Sequence, residues 1–182
     1  MELSERRVAV LAENLYEDLD LWYPLLRLRE AGAEVFVVGA GPADVYTSLH
    51  GYPVKPDAEA DVVDAAQFDA IVIPGGYAPD LMRRSPALVR LVRDALQQER
   101  IVAAIGHAAW VLVTAGVLPG RTVTCHRAIR DDVINAGATY LDREAVRDGT
   151  LLTARSTDDL PALLREVAAA LRGGGARLAV RS

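Results

Sequence analysis

An α/β fold with a mainly parallel central sheet is predicted on three observations. Short apolar runs alternate with longer stretches of helical period. The runs Val8–Leu11, Ala70–Pro74 and Ile101–Ile105 are apolar throughout, as strands buried on both faces are. One ends in Gly75-Gly76 and another breaks at Gly106 straight into a helical segment. In chain order, Val8–Leu11 reads as the first strand. Helical spacing follows from about Asp20 to Ala31, with Leu21, Leu25 and Leu28 on one stripe and Gly32 as the stop. Glu34–Val38 is the second strand. Tyr46–Leu49 and Tyr52–Pro56 flank His50-Gly51 as a small hairpin. Ala70–Pro74 is a buried strand. Ser85-Pro86 supplies an N-cap and a proline at the first helical position, and Leu88, Leu91, Val92, Ala95 and Leu96 mark one helix face. Ile101–Ile105 is a central strand that feeds a helix from His107 to about Ala115. Thr122–Cys125 reads as a strand, Ala128–Ala136 as a helix closed by Gly137, and Thr150–Ala154 as the last strand. A final helix, Leu160–Leu171, ends at Gly173-Gly174-Gly175. One domain over residues 1–175 is expected, with 176–182 as a loose tail.

Composition narrows the function classes. The 182-residue chain is 51% hydrophobic and 25% charged, too apolar for disorder. Its longest apolar stretch, Ala108–Leu118, is too short to span a bilayer, so no membrane partner is expected. A net charge of −5 and 5% aromatic residues leave neither a basic footprint nor a stacking platform, so nucleic acid is excluded as a partner. One cysteine, Cys125, cannot form an internal disulfide. The chain starts on a strand with no apolar signal segment, which predicts a cytoplasmic protein.

Two segments fall at strand ends, where open α/β sheets bind ligands. In Pro74-Gly75-Gly76-Tyr77-Ala78-Pro79-Asp80 a double glycine leaves a strand, either as a tight loop or to present bare amides to a ligand. In Ile105-Gly106-His107-Ala108-Ala109-Trp110 a strand breaks at once into a helix, the geometry of a nucleophile elbow above helix-terminal N–H groups. The elbow residue is glycine and has no side chain with which to attack.

On these stretches the chain resembles the ThiJ/PfpI superfamily, which has the class I glutamine amidotransferase-like fold. The matching segments are Ala12–Asp18, Leu25–Gly32, Ile73–Asp80, Val102–His107, Ala115–Leu118 and Ala128–Gly137. The resemblance implies a flavodoxin-like three-layer α/β/α sandwich and a homo-oligomer, at least a dimer. It places Gly106 where the family carries a reactive cysteine, the acid that contacts that cysteine on Glu17, and the following histidine on His107. Asp80 falls where PfpI-like members turn an acid toward a neighbouring subunit's histidine. Ala108 and Ala109 replace the family's Gly-Pro, so the elbow reads as a natural variant that drifted as a unit.

With no elbow thiol, cysteine proteolysis, deglycation and glyoxalase chemistry lose their covalent step. The expectation is a cofactor-free enzyme acting on a small carbonyl-type molecule, of hydratase, hydrolase, lyase or isomerase type. Glu17 would be its general acid/base, assisted by His107 and Asp80. Gly75, Gly76, Tyr77, Gly106, Ala108 and His126 would line the substrate or an oxyanion. The alternative is a non-catalytic small-ligand-binding or stress-associated descendant. A Cys125-dependent reaction is the least favoured, since a lone cysteine usually packs as a small hydrophobe. Gly39-Ala40-Gly41 is rejected as a dinucleotide loop because Asp44 takes the third glycine position. Glu13, Asp18 and Asp20 read as a solvated face. No cofactor is expected, and the spacing of Glu17 and two histidines demands no metal.

Overall fold

The computed structural model describes residues 2–173. Its elements in chain order are β1 (Arg7–Ala12), α1 (Asp18–Glu30), β2 (Glu34–Gly39), β3 (Tyr46–Thr47), β4 (Pro53–Val54), β5 (Ala58–Glu59), β6 (Ala70–Ile73), α2 (Ala78–Met82), α3 (Pro86–Gln97), β7 (Ile101–Ile105), α4 (Ala109–Ala115), β8 (Thr122–Val123), α5 (Arg130–Asn135), β9 (Thr139–Tyr140), β10 (Ala145–Asp148), β11 (Leu151–Ala154) and α6 (Leu160–Gly173). The expected tail at 176–182 lies outside the described residues.

The main sheet runs β10-β11-β7-β6-β1-β2-β5. Every pairing is parallel except β10 with β11. Helices α1 and α6 pack together on one face and α3 and α4 on the other, a three-layer sandwich. The central strands are buried along their length on both faces, which is why they read as unbroken apolar runs.

Helix signals in the sequence act as expected at α3. The Ser85 hydroxyl accepts the Leu88 N–H, Pro86 opens the helix, and its apolar stripe is buried. Helix α4 stops at Gly116, whose φ of +69° gives the left-handed cap. Three helix starts differ from the sequence reading. The helix expected from His107 begins as a 3-10 turn at Gly106–Ala108 before α4. The helix expected over 128–136 likewise opens as a 3-10 turn, with the His126 ring accepting the Ala128 N–H. Helix α1 begins at Asp18, two residues earlier than the apolar stripe suggests, because Glu17 already takes the extended N-cap conformation.

Strand register sets the site. Val10 pairs with Val72, Ile73 with Ala104, and Ile105 with Ala154. The carboxyl ends of β1, β6, β7 and β11 therefore finish side by side, and the loops leaving them meet at one edge of the sheet.

Candidate active site

The loop after β1 is fastened to the loop after β6 by main-chain bonds. Glu17 N–H donates to the Gly75 carbonyl at 3.2 Å, and Tyr77 N–H donates to the Leu15 carbonyl at 2.9 Å. Gly76 lies within this clasp at φ +81°, and a Cβ there would sit 2.5 Å from the Glu17 nitrogen and 2.7 Å from the Leu15 oxygen. Its lack of a side chain lets two backbones approach. The Gly75 amide is also engaged, donating to Asp20 Oδ2 at 3.0 Å. The double glycine thus serves chain packing, and the expectation that Gly75 offers a free amide to an oxyanion is corrected.

Asp20 is the residue the sequence reading misplaced. It is 3% exposed rather than solvated. Besides the Gly75 amide, it accepts the Thr157 hydroxyl at 2.8 Å. Burial pushes its carboxyl up to about 6; the two hydrogen bonds oppose this, and the nearby Glu17 charge adds to it. The missed signal was the start of α1. With Glu17 as N-cap, Asp20 takes the third helical position, where an acid faces back toward the helix entrance.

Gly106 holds the elbow conformation at φ +58°. A Cβ there would meet only the Arg155 carbonyl at 3.4 Å and His126 Cβ at 4.0 Å, so side-chain space exists above it. His107 is half-buried and stacks on His126, with ring centroids 4.3 Å apart and planes 25° apart. Trp110 flanks His107 at 5.3 Å. Burial, reinforced by His126, holds the His107 imidazole below its usual pKa, which favours the free base. Ala108 is buried within the turn.

The other expected site residues stand apart from this core. Asp80, on α2, forms an ion pair with Arg84 of its own chain. Tyr77 is exposed and joins the site through its backbone. Glu17 is half-buried at the rim, and its carboxylate groups with Asp18 and His50. Asp18 accepts from Ser48 at 2.8 Å and pairs with His50 at 2.7 Å, so it too is engaged rather than merely solvated. Cys125 is fully buried, and burial pushes its thiol up to about 12. Among the described residues, no helix is long and apolar enough to cross a membrane.

A model of the DJ-1/PfpI family matches residues 6–170. Deglycase PfpI of Pyrococcus furiosus is 42% identical over 160 residues, 88% of this chain and 96% of that protein. Deglycase TK1284 of Thermococcus kodakarensis is 42% identical over 166 residues, 91% of this chain and 99% of that protein. A solved two-domain protein from Anabaena variabilis, containing DJ-1/ThiJ/PfpI-like and ferritin-like domains, aligns with a TM-score of 0.91 at 40% identity. That alignment covers 94% of this chain and 50% of the solved one. These relatives overturn the expectation of a Glu17-driven hydratase, lyase or isomerase with deglycation least favoured. That expectation followed from one missing side chain, whereas the similarity to named deglycases extends along nearly the whole chain.

Proposed function

The chain belongs to the DJ-1/PfpI family, and on that premise we propose that it is a deglycase-type enzyme that releases a small carbonyl compound from an amine without a thiol nucleophile. The observation that carries the reading is the stacked His107–His126 pair beside the open space over Gly106. The first adduct of an amine and an aldehyde is a carbinolamine. Its C–N bond breaks once the hydroxyl loses a proton and the nitrogen gains one. The His107 free base takes the hydroxyl proton as the C=O bond forms, the C–N electron pair leaves with nitrogen, and the imidazolium returns the proton there. The products are the free aldehyde and the free amine. No covalent enzyme intermediate is needed, so a glycine at the elbow is compatible with this reaction. Proteolysis through a thioester is disfavoured by the same geometry, since Gly106 offers no sulfur and the Cys125 thiol is buried and held protonated.

The test follows loss of the carbinolamine made from the side-chain ε-amine of Nα-acetyllysine and a small 2-oxoaldehyde. Wild type is expected to accelerate its breakdown, and iodoacetamide treatment of the folded protein is expected to leave the rate unchanged. His107→Ala, with its near-UV circular dichroism retained, is expected to lose about 10²–10⁴-fold of the rate. A wild-type rate no faster than buffer, or one abolished by alkylation, sinks the reading.

The proposal includes assembly as a homo-oligomer, at least a dimer. Light scattering at micromolar concentration is expected to give at least twice the 19.6 kDa chain mass. A strictly monomeric species contradicts it.

A further inference from the structure

We propose that Glu17, Asp18 and His50 form a site for a divalent transition-metal ion of the zinc class. One ligand atom from each of the three lies within 4.8 Å of the other two. Glu17 and Asp18 arrive on the turn from β1 into α1, and His50 arrives on the tip of the β3–β4 hairpin. Main-chain bonds hold the two parts together: Leu15 N–H donates to the Thr47 carbonyl at 2.7 Å, and Leu49 N–H donates to the Tyr16 carbonyl at 2.9 Å. The three donors are thus supplied on a braced frame.

The surroundings match what a metal site requires. Ser48 Oγ donates to Asp18 Oδ1 at 2.8 Å, fixing that carboxylate from outside. The same oxygen accepts the N–H groups of His50 at 3.1 Å and Tyr52 at 2.9 Å, fixing the hairpin tip. Among the described residues, the basic side chain beside Asp18 is the His50 imidazole, and no arginine or lysine pairs with either carboxylate. Two carboxylates and an imidazole nitrogen are the mixed oxygen–nitrogen set that zinc and its neighbours accept. A dication would take the place of the direct contact between His50 Nδ1 and Asp18 Oδ2. Three protein ligands leave a fourth position for water or a substrate oxygen.

The cluster is legible only in three dimensions, since His50 lies 32 residues from Asp18. It is distinct from any grouping of Glu17 with the other two histidines, which the linear spacing does not demand; His107 and His126 stack on each other instead. The inference is independent of the deglycase reading, because ion binding is measured directly.

Tag-free protein is titrated with Zn²⁺ against a chromophoric chelator, and imidazole resonances are followed by NMR. The chain has three histidines, so each ring can be assigned. One equivalent of Zn²⁺ is expected to bind and to shift the His50 ring alone. His50→Ala and Asp18→Asn are each expected to weaken binding by more than about tenfold. His50 has a side chain 70% exposed, so its replacement leaves the core intact. Absence of stoichiometric binding, unchanged affinity in His50→Ala, or shifts at His107 and His126 in place of His50 would overturn the proposal.

Discussion

Gly76→Ala is expected to unfold the protein or lower its denaturation midpoint by the equivalent of more than about 4 kcal/mol. The added methyl meets backbone rather than a yielding side chain: the Glu17 nitrogen at 2.5 Å, the Leu15 oxygen at 2.7 Å and the Tyr16 carbonyl carbon at 3.0 Å. The φ of +81° adds conformational cost for any residue with a Cβ. Relief would require separating the loops after β1 and β6, which breaks the Glu17–Gly75 and Tyr77–Leu15 bonds and uncovers Asp20. Gly41→Ala is the control. A Cβ there meets nothing within 4 Å, so a change within about 0.5 kcal/mol is expected. Equilibrium urea denaturation of both variants checks the contrast. Equal midpoints would mean that the clasp around Gly76 is not as described.

Gly106→Cys is expected to fold and to turn a thiol-silent protein into one with a single reactive thiol. Steric room is present, with the Arg155 oxygen at 3.4 Å in ordinary van der Waals contact. The cost is conformational, since φ is +58° there, and amounts to about 1–3 kcal/mol. Wild type sets the baseline. With its thiol at about 12, Cys125 carries roughly a thousandfold less thiolate at pH 8 than an ordinary cysteine, and burial blocks access as well. The sign is that of a raised acid: Cys125 stays protonated until the pH climbs well past 9, so alkylation of the folded wild type stays slow across the usable range. Mass spectrometry after brief iodoacetamide exposure at pH 8 is expected to show one adduct on the variant and none on folded wild type. Labelling of folded wild type at a comparable rate would contradict the burial of Cys125. An unlabelled but folded variant would show that position 106 is closed to reagents.

Much of the architecture could be read from residues alone, for reasons that are local. Strands β1, β6 and β7 announce themselves because burial on both faces removes polar residues from the run. Helix α3 is marked by Ser85-Pro86, whose capping chemistry needs no tertiary partner. The elbow is marked by a strand that breaks at glycine. Features that depend on distant partners stayed hidden. Strand β10 has two apolar residues, Ala145 and Val146, followed by two charged ones, Arg147 and Asp148, and shows as a strand only through its antiparallel pairing with β11. Asp20 looks like a surface acid until Gly75, 55 residues away, donates to it. The glycines mark the candidate site in the sequence, while their packing roles and the buried acid Asp20 are set by distant partners.

The hydrogen bond from Thr157 to Asp20 spans 137 residues. It has a consequence for how the molecule is made. During synthesis β1, α1 and the loop after β6 all emerge long before Thr157, so the first turn of α1 must wait with its inward carboxylate half-satisfied. The sheet edge that carries the candidate site is therefore among the last parts of the molecule to be completed. A nascent chain cut short before β11 would expose this edge to water however well its early strands had paired.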